Sequence, residues 1–224
     1  MFTYSLAGLQ VKEAESGPVE VEENETTARS GLYQVLARLF SLPDEDHYDR
    51  ARDGRWAKEM AHAAALLPFA FEIGEAPLPA EVDRAGWLAE HDRVFGAGGV
   101  GGALLREGHD AADADAMVTE VRREYDYFGL GLDGSALPPD HLSTECDFMQ
   151  YLAFREAATA SDRLRTSFRR AQRDFLDHHL VGWVPTLVAE ADAKEPIGPL
   201  SWALGRLDEF VRADHAYLNT LLAG

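Results

Sequence analysis

The residues with the clearest chemical potential are an acid and a histidine at an expected helix boundary. Residues 136–157 read ALPPDHLSTECDFMQYLAFREA, so Asp140 and His141 follow two prolines and precede an apolar run at helical spacing. Proline disfavours helix in the residue before it, and Asp140 can cap the next helix, so helix punctuation is one interpretation. The other is a functional site that holds both side chains rigidly.

Catalysis by this acid–histidine pair is not supported by the rest of the sequence. Neighbours in sequence rarely share a hydrogen bond of catalytic geometry, and neither a G-x-S-x-G element nor another serine partner is identifiable. The single cysteine, Cys146, falls in an apolar helical stripe with Leu142 and Met149, which predicts a buried and inert thiol. We therefore predict that the protein is not an enzyme.

Two other patterns suggest ligands, but their context favours simpler explanations. Gly96, Gly98 and Gly101 match G-x-G-x-x-G, yet an amphipathic helix is expected where a dinucleotide-binding fold has a strand. His178 and His179 are adjacent, so on a helix they point about 100° apart and cannot chelate one ion together. We expect structural or surface roles for both histidines, and we predict no metal site and no cofactor.

Composition and charge exclude several classes of protein. The 224 residues are 46% hydrophobic and 27% charged, which is typical of a globular protein, and the net charge is −18. Such a charge repels nucleic acid and anionic membranes and favours basic partners. The N-terminal residues lack the features of a secretory signal, and no run approaches the roughly 20 apolar residues that span a bilayer. We therefore expect a cytoplasmic protein without stable membrane insertion.

Apolar residues at helical spacing recur along the chain and predict an all-α fold, a single bundle-like domain of eight or nine helices. Residues 12–28 contain six glutamates and one lysine, so we expect an acidic, disordered tail over 1–25 and an all-helical domain over 26–224. No stretch alternates with period 2, which predicts no strands. The first predicted helix is capped by Thr26 or Thr27 and ended by Pro43, and another begins at Asp140 or His141. An interruption or kink is expected at Pro185, after the helix over Ser161–Leu180. The other predicted helices cover Gly54–Phe71, Pro79–Phe95, Ala112–Phe128 and Gly198–Leu222.

Five local signatures occur in an order that resembles a known family. They are GLYQVLARLFSLP, AEHDRVFG, LLREG, PPDHLSTECDFMQYLAFRE and DFLDHHLVGWVP, and together they cover most of residues 29–190. The set resembles the TorD/DmsD/NarJ family, the cytoplasmic chaperones that mature molybdenum-containing redox enzymes. It looks closest to the branch that serves ethylbenzene and dimethyl sulfide dehydrogenases and selenate and chlorate reductases. Three departures stand out: His91 replaces an aromatic residue, Val94 replaces a leucine, and Gly108 replaces the serine of a Glu-Ser pair.

The resemblance implies a non-enzymatic binder of another protein. Such chaperones hold the apo catalytic subunit of a molybdenum oxidoreductase, often through its twin-arginine leader, and delay export until the cofactor is inserted. A leader of this kind is basic and then apolar, so its receptor should offer carboxylates beside a hydrophobic groove. The alternative is a regulator that binds a small molecule, a nucleotide or molybdopterin, with the Gly96–Gly102 loop as its clamp.

The predicted leader contacts fall into a charged half and an apolar half. Trp87, His91 and Phe95 are spaced by four residues, so one helix would present all three on a single face. For Trp87 and Phe95 plain core packing is the alternative, for Glu107 a solvated loop acid, and for His141 a structural hydrogen bond. The flexible segment before Asp140 is compatible with a monomer or a domain-swapped dimer. The full predicted set is Trp87, His91, Phe95, Glu107, Pro139, Asp140 and His141.

Overall fold

The computed structural model describes residues 9–11, 21–96, 103–109, 111–132 and 137–224. Within these ranges the chain forms nine α-helices, and all nine contribute side chains to one contiguous hydrophobic core. The predicted all-α, bundle-like fold class is therefore confirmed. The helices are α1 (Glu25–Leu39), α2 (Glu45–Arg52), α3 (Arg55–Ala64), α4 (Arg84–Phe95), α5 (Ala114–Tyr127), α6 (Leu142–Ala158), α7 (Asp162–Phe175), α8 (Val181–Asp192) and α9 (Gly198–Ala223).

The first helix begins earlier than the sequence predicted. Asn24, rather than Thr26 or Thr27, is the N-cap, and its side chain accepts from the backbone N–H groups of both threonines. Thr27 occupies the N3 position and its hydroxyl accepts from the Asn24 N–H at 2.7 Å, which completes a capping box. The prediction missed this cap because Asn24, Thr26 and Thr27 are each a residue type that can serve as one.

Helices α1 and α6 form the centre of the bundle. Their closest approach is fixed by two serines, since Ser30 Oγ donates to the Gln150 carbonyl at 3.0 Å and Ser143 Oγ donates to the Ala37 carbonyl at 2.6 Å. The predicted apolar stripe of α6 is confirmed, and Cys146 within it is fully buried. Burial raises the pKa of the Cys146 thiol, which agrees with the predicted inert role.

Helices α7 and α8 form one uninterrupted helical segment. They are joined by a π-helical turn at Leu176–Leu180, and Pro185 lies inside α8 without ending it. The interruption expected at Pro185 is thus replaced by a widened turn a few residues upstream. Turns of this kind re-aim side chains and are frequent at functional sites, and this one carries His179.

Two sequence predictions about secondary structure were wrong. Leu9–Val11 (β1) pairs antiparallel with Leu130–Leu132 (β2), with Leu9 opposite Leu132 and Val11 opposite Leu130. Three-residue strands are too short to show an alternating pattern, and β1 lies within the segment expected to be a tail. Helix α2 was also missed, because it is highly charged and buries only His47 and Ala51.

A buried ionic network ties four helices together. Arg29 of α1 is fully buried and donates to Asp214 of α9, to Glu156 of α6 at 3.2 Å and to Gln172 of α7 at 2.6 Å. Tyr33 donates to the same Asp214 at 2.8 Å. Because every member is hydrogen-bonded, the network specifies how these helices pack instead of leaving a charge unpaired in the core.

Candidate partner-binding site

The segment before α6 is pinned from two sides. Tyr125 of α5 donates its hydroxyl hydrogen to the Pro139 carbonyl at 2.8 Å. His141, rather than Asp140, caps α6, because its Nδ1 accepts from the Ser143 N–H at 3.1 Å. The aspartate that was expected to serve as a cap is therefore released for another role.

The Asp140 carboxylate binds the segment that precedes α5. Its Oδ1 accepts from Arg106 Nε at 3.2 Å and Nη2 at 3.0 Å, and its Oδ2 accepts from the Gly108 N–H at 3.3 Å. The Asp140 carbonyl also accepts from the Glu107 N–H at 2.9 Å. Asp140 is fully buried, whereas the Arg106 side chain is 37% exposed. A half-exposed guanidinium therefore covers a buried carboxylate.

Gly108 explains one departure from the family pattern. A Cβ atom added at this position would lie 2.9 Å from Asp140 Oδ2, closer than van der Waals contact permits. The glycine therefore lets the Asp140 carboxylate reach the backbone of the Glu107–His109 turn. A serine here would require that contact to shift.

A second acid lies beside Glu107 in the interior. The Glu107 Oε2 is 2.9 Å from His179 Nδ1, and the Glu107 carboxylate acts electrostatically on the buried Glu145. Burial and the Glu107 charge raise the pKa of Glu145 well above its ordinary value. Glu145 Oε1 is buried and has no hydrogen-bond partner among the described atoms. Trp183 Nε1 donates to Glu145 Oε2 at 3.2 Å.

We call Arg106, Glu107, Asp140, Glu145 and His179 the hinge site. Sequence reasoning found only Glu107 and Asp140 of this set. His179 and Trp183 lie four residues apart in DFLDHHLVGWVP, a spacing that places both on one helical face, whereas His178 is exposed. That spacing was the available signal for His179. Arg106 and Glu145 have no comparable local signal, because their partners are distant in sequence.

The predicted apolar half lies on α4. Trp87 Nε1 donates to His47 Nδ1 at 3.0 Å, so the His47 Nδ1 is the acceptor nitrogen. The hydrogen of His47 is therefore on Nε2, which donates to the Leu39 carbonyl at 2.8 Å. Trp87 is thus locked into the core by its indole N–H as well as by its ring.

His91 links the apolar half to the hinge. Its ring centroid lies 4.8 Å from that of Phe95 and 5.9 Å from that of His47. Burial, followed by repulsion from His47 and His141, lowers the pKa of His91 to about 3, so His91 is neutral at physiological pH. His91 Nε2 is buried and has no hydrogen-bond partner within the described ranges.

Six of the seven predicted contact residues are buried, and Glu107 is half-buried with a side chain that is only 4% exposed. Glu107, Pro139, Asp140 and His141 come together at the hinge, while Trp87, His91 and Phe95 form a layer on α4. Phe95 packs edge-on against Phe40 at 6.0 Å, as a core residue does. The structure therefore places the two halves side by side and beneath the surface.

Two further observations concern ligands and membranes. Across the described ranges, no group of three or more histidine, cysteine, aspartate or glutamate side chains has a geometry that could hold a metal ion. In the same ranges no helix is both long enough and apolar enough to cross a bilayer. The alternative prediction of a glycine-loop clamp depends on residues 97–102, which lie outside the part of the chain that the structure describes.

The structure combines the predicted all-helical fold with a site that brings the proline–Asp–His segment together with Glu107 and His179. Residues 61–189 match the nitrate reductase delta subunit family, and the chain belongs to that family. The matched range covers α4 to α8 almost completely and includes every residue of the hinge site.

Similarity to individual proteins extends beyond the matched range. The selenate reductase assembly chaperone protein of Thauera selenatis is 32% identical over 202 residues, which cover 85% of this chain and 91% of that protein. The perchlorate reductase assembly chaperone protein of Dechloromonas aromatica is 30% identical, with 76% and 81% covered. The chaperone protein TorD of Aeromonas salmonicida is 27% identical, with 85% and 91% covered. The predicted resemblance is therefore confirmed.

Proposed function

We propose that this protein is a cytoplasmic assembly chaperone for the catalytic subunit of a molybdenum-containing oxidoreductase. The observation that carries the proposal is the similarity to a selenate reductase assembly chaperone over 91% of that protein's length. The proposed role is non-catalytic: the chaperone holds the apo subunit until its cofactor is inserted, and export is delayed until then. Whether it acts as a monomer or a domain-swapped dimer stays a prediction, which size-exclusion chromatography with light scattering tests.

The hinge site is our proposed receptor for the arginines of a twin-arginine leader. Asp140 already accepts two hydrogen bonds from one guanidinium, that of Arg106. A leader arginine has the same donor group, so it can take the place of Arg106 without any change in the carboxylate. Glu107, which lies next to Arg106 and is bound to His179, is the proposed second acceptor.

The apolar part of the leader requires a surface beside these acids. Trp183 is half-buried and its indole N–H is held by Glu145, so its ring is a fixed apolar surface at the hinge site. Trp87, His91 and Phe95 are buried, and a leader would touch them only after the structure around them moves. We propose that in the unbound protein these three residues support the site from behind.

Isothermal titration calorimetry with a synthetic leader peptide tests this proposal. Asp140→Asn and Glu107→Gln each remove one carboxylate, and each should weaken binding by about tenfold, the value of a lost charge-assisted hydrogen bond. Asp115→Asn is the matched control, because it removes the same charge from an exposed position on α5.

A peptide with both arginines replaced by glutamine separates binding from folding. It should bind wild-type protein weakly, a result that does not depend on any variant being folded. Equal affinity for the two peptides would exclude the hinge site as an arginine receptor. Failure of the protein to co-purify with a co-expressed molybdenum oxidoreductase subunit, leader included, would reject the broader chaperone role.

A further inference from the structure

A groove between α1 and α3 carries a local charge opposite to that of the whole chain. The protein has 39 acidic and 21 basic residues, yet the groove presents Arg38 of α1 and Lys58 and His62 of α3. Its volume is about 370 Å³. Of the residues that line it, Glu59 alone is acidic, and its carboxylate is bound by Arg50.

The two cations are available to a ligand. Across the described ranges, the Arg38 guanidinium forms neither a salt bridge nor a side-chain hydrogen bond. Lys58 Nζ donates at 3.2 Å to the Asp53 carbonyl, a neutral group, and its side chain is exposed.

The groove has apolar lining residues, and it lies on a different face of α1 from the face that contacts α6. Val35 and Ala63 line the groove together with the two cations, so a side chain that enters it meets methyl groups as well as positive charge. Ser30 and Ala37 of α1 contact α6, whereas Val35 and Arg38 face α3. A ligand can therefore bind here without disturbing the α1–α6 contact.

We propose that the α1–α3 groove is a docking site for an acidic, amphipathic peptide segment of a partner protein. Charge complementarity selects this occupant: Arg38 and Lys58 attract carboxylates, while the apolar floor takes the alternate face of a helix or strand. A basic leader is repelled by the same cations, so the groove and the hinge site recognise segments of opposite charge. The proposal does not depend on the function proposed above.

The probe that tests the proposal is a fluorescein-labelled amphipathic peptide with leucines on one helical face and glutamates on the other. Fluorescence anisotropy at low salt should show saturable binding to the full chain. Arg38→Gln and Lys58→Gln should each weaken it by about tenfold, as expected for one charge-assisted contact. Arg163→Gln, which removes the same charge from an exposed position on α7, should leave the affinity within about twofold.

Two further measurements decide between specific docking and general attraction. Arg38→Lys with Lys58→Arg keeps both charges and should retain most of the binding, which shows that the glutamine variants fail through charge and not through misfolding. In the wild-type protein, carbodiimide treatment should join the Lys58 amine to a glutamate of the bound peptide. No saturable binding, an equal loss in Arg163→Gln, or Lys58 links confined to carboxylates of its own chain would overturn the proposal.

Discussion

At the scale of single residues, the hinge site is defined by one half-exposed cation that pairs with one buried anion. The Arg106 guanidinium is the charged partner of the buried Asp140 carboxylate. A leader arginine can bind Asp140 only after Arg106 moves away. Arg106 therefore has two effects of opposite sign. It stabilises the free protein by pairing a buried charge, and it competes with the proposed ligand for the same oxygen atoms.

The Arg106→Gln variant separates these two effects. We expect the free energy of unfolding to fall by about 1–3 kcal/mol, because Asp140 loses its charged partner. We expect leader affinity to rise by about tenfold, because the incoming arginine no longer displaces another. Urea denaturation and calorimetry measure the two quantities. Arg163→Gln, an equal change in net charge, should change neither, and equal leader affinity in the two variants would refute the competition.

The protonation state of Glu145 makes stability depend on pH. Its pKa is raised by burial and by Glu107 above the ordinary value of 4.5, so the folded state binds a proton that the unfolded state loses first. Stability contributed by this proton is fully present below about pH 4.5 and is lost as pH rises toward the raised pKa. Glutamine is neutral at every pH and keeps an oxygen that can accept from Trp183 Nε1.

We therefore expect Glu145→Gln to gain stability relative to wild type as pH rises. Urea denaturation at about pH 5 and about pH 8 should show the difference in unfolding free energy between variant and wild type growing in favour of the variant. His179→Gln serves as a control, because it removes the neighbouring titratable ring and leaves Glu145 in place. A difference that stays constant with pH would mean that Glu145 is ionised in the folded protein.

At the scale of elements, local patterns predicted the helices that have strong apolar periodicity or clear punctuation. Helix α9 was predicted almost to its ends, and α6 was predicted to begin where the prolines stop. Helix α2 and the strand pair were missed, because charged helices and three-residue strands leave no periodic signal. The hinge site was found only in part, because it is assembled from Ala103–His109, α6 and the π-helical turn, and contacts between distant segments have no local pattern.

A pair of glycine substitutions tests how closely these elements approach. Gly108→Ala introduces a Cβ atom 2.9 Å from Asp140 Oδ2, so the Glu107–His109 turn must move from the hinge. We expect a loss of about 1–3 kcal/mol in unfolding free energy and weaker leader binding. Gly205→Ala, inside α9 with no atom within 4 Å of the new Cβ, should instead gain up to about 1 kcal/mol. Thermal and urea unfolding measure both variants. If Gly108→Ala and Gly205→Ala changed the unfolding free energy equally, the close approach at Gly108 would not be a constraint.

At the scale of the whole molecule, the charge of −18 acts on any basic partner before contact. The field should steer a twin-arginine leader toward the protein, so the association rate constant should fall by about tenfold or more as ionic strength rises from about 0.01 M to about 1 M. The dissociation rate constant should change less, because it depends on bonds within the partly buried hinge site. Stopped-flow fluorescence with a labelled leader separates the two constants. The glutamate peptide proposed for the α1–α3 groove should associate far more slowly than the leader at low salt and should gain relative to it as salt screens the field. An association rate of the leader that is independent of salt would show that the net charge has no part in recognition.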